Sequence, residues 1–315
     1  QGAQKAPFRA GSDYFDLVKE KQMEYRILKY FLTVAREENI TRAADILHIS
    51  QPALSRQMMQ LEEELGAQLF VRGRHSTTLT EDGMLLRRRA QEIVELTEKT
   101  EREFLTGKEE IGGTISIGSG EGAVMRFLAG VMREFSELYP DVRFDLYSNN
   151  ADHVKERLER GTLDIGVIIG NSDLSKYETI PLPVKERWGA IVPAKCPLSK
   201  KEYITREDLA GHRVFVSKQS AWQGVTNWFG EYYDQMEIYA TYNLLYNAAV
   251  LVDSEIGAAL CIEGAVSLYN SPGVIFKPFY PELTANNTLI YKAQPMTRTA
   301  TKFIDFIKEK LDEKA

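Results

Sequence analysis

The sequence predicts an α/β multidomain chain that opens on a helix-turn-helix with a wing, runs through one long helix, and then alternates strands with helices. Three observations carry this. Two short helical patterns meet at His48-Ile49, and apolar and small residues recur at four-three spacing from Leu86 to Phe104. After Gly112-Gly113, short apolar strands are separated by helical runs.

Taken in order, residues Gln1 to Gln22 read as a flexible leader, tag or upstream extension. From Met23 to Glu37, Ile27, Leu28, Phe31, Leu32 and Ala35 fall at helical spacing and predict a core helix. Arg42 to Leu47 is a short helix whose alanines allow close approach of a partner. Ser50 can cap the next helix, with Pro52 in its first turn, where a missing N–H costs nothing. Along that helix Leu54, Met58 and Leu61 form an apolar stripe, while Gln51, Ser55 and Arg56 leave from another face.

In a helix-turn-helix the second helix enters the DNA major groove. Gln51 suits adenine, Arg56 guanine or a phosphate, Ser55 either, and Pro52 or Ala53 a thymine methyl. Periodicity alone equally allows a helical hairpin in some other domain. Gly66 offers a left-handed cap, and Gln68 to Thr80 alternates weakly about Gly73, as a two-stranded wing would. Thr80 can cap the long helix, where Glu81 and Asp82 favour the positive end. Its heptad seam (Leu86, Ala90, Ile93, Thr97, Thr100, Phe104) predicts pairing with a second copy, with Leu86, Ala90, Ile93, Thr97 and Phe104 as the dimerising set.

Beyond the Gly107 to Gly113 hinge, Thr114 to Gly118 is a strand. The turn Ser119-Gly120-Glu121-Gly122 then leads into a helix carrying Val124, Phe127, Leu128, Val131 and Phe135. Such a junction aims free amides at an anion. Strand, helix and strand follow through Val142 to Ile169, predicting a parallel sheet. Further strands are expected at Val214 to Val216 and Ile256 to Leu260, helices near Gly224 to Tyr233 and at Ala248 to Ser254, and a final amphipathic helix at Ala300 to Leu311.

The bulk numbers set limits. At 315 residues, 43% hydrophobic and 27% charged, the chain is long enough for two or three domains of ordinary globular composition. A net charge of −6 argues mildly against nucleic acid, and from Asn39 to Thr80 Arg42, Arg56, Arg72 and Arg74 are balanced by Asp45, Glu62, Glu63 and Glu64. Placement, not net charge, must then reveal DNA contact. Cys196 and Cys261 show no CxxC pairing, so a reducing compartment and two buried, inert thiols are expected. His48, His75, His153 and His212 have no ligand spacing; no metal and no cofactor is expected. Neither a membrane-length apolar run nor a signal-peptide pattern is present, which counts against a secreted solute-binding protein.

The run Ala43-Ala44, Leu47, Ser50 to Gln57, Leu61-Glu62, Leu65-Gly66, Leu69-Phe70, Arg72, Leu79-Thr80 and Gly83 closely resembles the N-terminal domain of LysR-type transcriptional regulators. The likeness continues more loosely to Lys310, with Gly161-x-Leu163-Asp164-Ile165-Gly166 resembling the effector domain. This resemblance implies a winged helix-turn-helix over 23–80 and a dimerising linker helix over 81–107. It also implies a two-lobed effector domain like type 2 periplasmic binding proteins, with lobe I at 112–180 and 280–315 and lobe II at 181–279. The implied DNA-contacting set is Thr41, Arg42, Gln51, Pro52, Ser55 and Arg56, with Arg72, Arg74 and His75 in the wing. Arg72 matches the family pattern, but His75 stands where a second arginine is usual and Arg74 is one place early, leaving open which enters the minor groove. Glu255 likewise replaces a glycine usual in the family.

The resemblance places a small-molecule effector between the lobes, with candidates Ser119, Glu121, Gly122, Asn149, Asn150, Ser217, Gln219, Ser220 and Asn243. Glu121 in the anion turn would favour a cationic or hydroxylated ligand over an anionic one. Trp222 and Trp228 can pack against a ligand or in a core. The implied function is a cytoplasmic, dimeric or tetrameric regulator on a double-stranded DNA operator with two-fold half-sites, its effector altering DNA engagement. The alternative class is an enzyme or solute-binding module. Against an enzyme stands the lack of a nucleophile with base and orienter, a phosphate loop or a metal set.

Overall fold

The computed structural model describes residues 23–73, 76–105, 111–218, 223–266, 271–293 and 296–313, and the chain divides into two compact units, 1–100 and 101–315.

In the first unit α1 (Tyr25–Glu37) buries Ile27, Leu28, Phe31, Val34 and Ala35. The short α2 (Ile40–Ile46) is capped by the Asn39 side chain, which accepts from Arg42 N. Its Ala43 and Ala44 are fully covered, small enough to let neighbouring helices close on them. His48 turns the chain with φ 54°, and Ile49 N donates to Ala44 O. Helix α3 (Gln51–Leu65) starts where Ser50 Oγ accepts from Ala53 N at 3.4 Å and stops at Gly66, φ 66°. Leu54, Met58 and Leu61 are at most 1% exposed and join Phe31 and Phe70 in one core.

Strands β1 (Phe70–Arg72) and β2 (Thr77–Leu79) pair antiparallel as the wing. Glu62, counted from sequence as a balancing surface charge, instead accepts from Leu69 N at 2.8 Å and Phe70 N at 3.1 Å, pinning the wing to α3. Helix α4 (Glu81–Leu105) begins with Gly83 N donating to Thr80 Oγ1 at 3.0 Å. A Cβ at Gly83 would sit 2.1 Å from Leu69 O, so only glycine lets this helix leave the wing at that distance.

The seam expected along α4 needs correction. Ala90 is fully buried in the first unit's own core, and Leu86 and Val94 pack against the same cluster. Ala90 is therefore spent inside one copy of the chain, while Leu86 and Val94 are half-buried there. Thr97 Oγ1 bonds Ile93 O at 2.8 Å, and the Phe104 side chain lies outside the described residues. Met84, 52% exposed, is one outward apolar group; Leu85, Ile93 and Leu96, each 41–48% exposed, form a separate outward stripe that with Thr100 falls within about 80° of helical arc.

Among its described residues the second unit has nine strands: β3 (Gly113–Ser119), β4 (Val142–Ser148), β5 (Ile165–Ile169), β6 (Glu178–Pro193), β7 (Arg213–Ser217), β8 (Glu237–Tyr242), β9 (Ala258–Ile262), β10 (Val274–Pro278) and β11 (Thr284–Tyr291). Their order is β4-β3-β5-β11-β6-β9-β7-β8, with β10 on β6. The expected parallel pairing holds within each half, β3 with β4 and β5, β7 with β8 and β9. The long β6 and β11 run antiparallel to their neighbours and tie the halves together. Residues 178–187 of β6 pair with β11, and 188–191 pair with β9, so one strand serves both lobes.

Around the first lobe α5 (Val124–Leu138) and α10 (Arg298–Asp312) share a core through Phe135 and Phe303, ring centroids 5.0 Å apart. Helix α6 (Ala151–Glu159) covers β5 through Val154 and Leu158. In the second lobe α7 (Gln223–Phe229) sets Trp228 flat on Phe279 at 4.6 Å, with Nε1 donating to Pro281 O, so Trp228 is core. Helix α8 (Leu245–Asp253) buries Leu245, Ala248, Ala249 and Val252. It starts three residues earlier than expected, and the following strand β9 two residues later.

Between them Glu255 adopts φ 62°, a left-handed conformation that costs an L-residue and suits glycine. This explains in physical terms why a glycine is the usual choice there. Glu255→Gly is expected to raise the stability of the second unit by about 1 kcal/mol, offset by loss of the exposed Lys195 ion pair. Denaturant unfolding of the two proteins would measure it, and an unchanged or lowered midpoint would contradict the strain argument.

Candidate functional site

The first candidate surface is the outer face of α3. Burying Leu54, Met58 and Leu61 forces Gln51, Pro52 and Arg56 outward, all three exposed, with Ser55 half-buried beside them. No ion pair to Arg56 exists among the described residues, which leaves its guanidinium in position for a base edge or phosphate. Thr41 and Arg42 are exposed on α2, and Arg42 is tied back, donating to Glu37 O at 2.8 Å with the Glu37 carboxylate 3.5 Å away. The side chain of Arg72, and Arg74 and His75 altogether, lie outside the described residues.

The second candidate site is a cleft in the second unit, partly open to solvent and walled by both lobes. Glu121, Asn149, Asn150, Ser217 and Asn243 line it. Ser119 and Gly122 do not: Ser119 is 6% exposed with its hydroxyl on Gly120 O, and the Cα of Gly122 faces the Glu186 carboxyl. Gln219 and Ser220, like Trp222, lie outside the described residues. The cleft also contains residues that sequence reasoning did not single out, chiefly Trp188, Tyr242, Leu245 and Cys261. Their signal was weak, because each reads locally as strand or helix core.

The anion turn expected at the start of α5 is not free. Glu186, 1% exposed, accepts from Val124 N at 3.2 Å and also from Ala123 N and Gly264 N, with the Asn287 side chain as a further donor. The internal carboxylate thus sits where an external anion would have gone. It reaches β6's neighbours in both lobes, because Gly264 opens α9 (Glu263–Val266) of the second lobe. A Cβ at Gly264 would meet Ala123 N at 2.1 Å and Glu186 Oε2 at 2.4 Å, so this packing requires glycine.

Burial pushes the Glu186 carboxyl above its ordinary value of 4.5, with the surrounding N–H groups pulling partly the other way. A carboxyl raised in the folded state binds its proton more readily there than in the unfolded chain. Its stabilising contribution is complete below pH 4.5 and is lost as pH rises through the folded value. Glu186→Gln is expected to remove that downward slope of the unfolding midpoint over this window. Thermal unfolding of both proteins from pH 4 upward, with identical slopes, would count against it.

Asn150 caps α6 through His153 N at 3.1 Å and donates across the cleft to Lys218 O at 2.8 Å. Glu121 Oε2 accepts from Leu245 N at 3.2 Å, meeting the N-terminus of α8 from the opposite lobe. Tyr242 donates to Leu260 O at 2.5 Å and is held protonated, its pKa raised by burial. Cys261 is buried with its thiol pushed up to about 12, which makes it inert. Cys196 is only partly buried, against the expectation of two buried thiols.

Comparison with known proteins bears on both surfaces. Residues 25–84 match the family described as bacterial regulatory helix-turn-helix protein, lysR family, and residues 108–312 match the LysR substrate binding domain. The chain is similar to the Escherichia coli Hca operon transcriptional activator HcaR, 29% identical over 300 residues, covering 92% of this chain and 98% of HcaR. It is also similar to two Bacillus subtilis proteins, the uncharacterized HTH-type transcriptional regulator YybE (33% over 204 residues) and the HTH-type transcriptional regulator BsdA (38% over 159 residues). Those two alignments cover 62% and 50% of this chain, and 67% and 53% of YybE and BsdA respectively. Among solved structures, CbnR, a LysR family transcriptional regulator, superposes with a TM-score of 0.72 at 21% identity, covering 91% of this chain and 99% of that one, a likeness of fold. With both of its parts matched over most of its length, the chain belongs to the lysR family of bacterial regulatory helix-turn-helix proteins.

Proposed function

We propose that this protein is a sequence-specific DNA-binding transcriptional regulator, with α3 as its reading helix and the interlobe cleft as its effector site. The observation that carries the reading is the division of α3 into a fully buried apolar stripe and an exposed face of Gln51, Pro52, Ser55 and Arg56. One winged domain offers few base contacts, so two copies acting on two-fold half-sites supply the affinity a specific site needs. The outward stripe of Leu85, Ile93, Leu96 and Thr100 on α4 is suited to joining those copies as a dimer, and dimers can pair further into tetramers. Thr41 and Arg42 then approach the backbone and the wing residues Arg72, Arg74 and His75 the minor groove.

Occupation of the cleft changes the relation of the lobes, and so the spacing of the DNA-binding units, to the extent that the ligand prefers one arrangement. Ser119 and Gly122 act behind the cleft wall, while Gln219 and Ser220 are kept as effector contacts on the strength of the family likeness. Such a protein works in the cytoplasm, and no described helix is long and apolar enough to cross a membrane. It needs no catalytic centre for this role.

The test is genome-wide binding of purified protein to fragmented DNA of its source, at stated salt, with and without metabolite extract. Enrichment of a few two-fold symmetric sites, shifted by extract, is expected. Weak, sequence-independent binding that disappears steeply with salt would overturn the reading.

A further inference from the structure

Three helix N-termini of the second unit each meet a side-chain acceptor of the protein itself; those of α6 and α8 border the cleft, while no residue of α5 lines it. Glu186 lies on α5, Asn150 on α6 and Glu121 on α8. Two of these three acceptors are carboxylates. A helix N-terminus is the usual means by which backbone attracts an anion, and at α6 and α8 a side-chain oxygen of the protein already takes one of those N–H groups.

The cleft's side chains point the same way. Glu121 is the single charged residue lining the cleft among the described residues. Lys218 is exposed and is joined to the cleft through its backbone oxygen on Asn150; His153 is exposed on α6 with its ring on Asn150 Oδ1. A carboxylate has room for about four hydrogen bonds, and Leu245 N takes one at Glu121. Trp188 and Tyr242 line the same cleft, and aromatic faces attract cations.

From this arrangement we infer that the effector is a small organic cation, an ammonium group held by Glu121 with an apolar body against Trp188 and Tyr242. This rests on the proposed effector role of the cleft and adds the chemical class. The structure also moves the basis of the expectation drawn from the sequence. Glu121 does not act on a free turn; it is the charged residue of the cleft lining and meets the N-terminus of α8.

The experiment uses three probes that share one ring and differ in charge: benzylammonium, benzyl alcohol and benzoate, titrated calorimetrically into the full-length protein at pH 7. Benzylammonium is expected to bind at least tenfold more tightly than benzoate, with benzyl alcohol between them. In Glu121→Gln the preference should collapse toward the affinity of benzyl alcohol, which itself changes little. Equal or tighter binding of benzoate, or binding of none of the three, overturns the inference. So does an unchanged preference in Glu121→Gln. The wild-type ratio needs no variant, so the result stands even if the variant folds poorly. DNA enrichment measured on the same preparation separates the outcomes. Cation binding with no sequence-specific DNA binding would remove the regulator reading and leave the cation site, whereas specific DNA binding with a benzoate preference would do the reverse.

Discussion

Arg56→Ala is expected to weaken binding to a selected operator by about 1–3 kcal/mol, roughly 5- to 150-fold, and to relax base choice at one position of each half-site. The reason is geometric. Arg56 is exposed on the side of α3 opposite Leu54, Met58 and Leu61, so its removal leaves the core intact while taking away a group able to pair two ways with guanine. Selection of binding sequences from a random pool, followed by anisotropy titration at fixed salt, measures both effects. A uniform loss across all sequences, with a shallower salt dependence, would make Arg56 a phosphate contact. An unchanged preference would remove it from readout altogether.

Ile93→Asp should convert the protein to a monomer in sedimentation and lower operator affinity by a further factor on the order of 10²–10⁴, since the two reading heads lose their effective concentration for each other. Ile93 is 41% exposed and sits beside Leu96 on the outward stripe of α4, so the change introduces charge at the proposed interface and not in the core. Ala90→Asp provides the contrast. Ala90 is fully buried in the first unit, and a carboxylate there has no described partner and should unfold that unit. A stable dimer in Ile93→Asp would move the interface off this stripe.

How much was legible beforehand follows the range of the interactions. Ser50, Pro52, Thr80 and Gly66 mark helix ends through bonds spanning three or four residues, and the observed ends of α3 and the start of α4 follow them. The alternation of strand and helix likewise located β3, α5, β4, α6 and β5. Heptad spacing along α4 was visible too, but a repeat of apolar residues does not say what it faces. The wHTH core took Ala90 and part of Leu86, and only the packed structure separates those from Ile93 and Leu96.

The same limit explains the cleft. Glu121, Asn149 and Asn150 are polar groups in strand-end turns and stand out in a chain read locally. Glu186 stands out in no such way, because it alternates along β6 like any outward strand carboxylate. Its partners are Ala123, Val124, Gly264 and Asn287, from about sixty residues before it to about a hundred after. Trp188 is similar, a strand residue that becomes a cleft wall only when the lobes come together.

The sequence by itself determined the family, the helix proposed to read DNA, its caps and the exposed face that goes with them, because those depend on spacing within a few residues. The tertiary structure decided which face of α4 stays exposed and which side-chain acceptor meets the helix ends of the second unit. Those outcomes depend on groups brought together from distant parts of the chain, and no local pattern records which of them will meet.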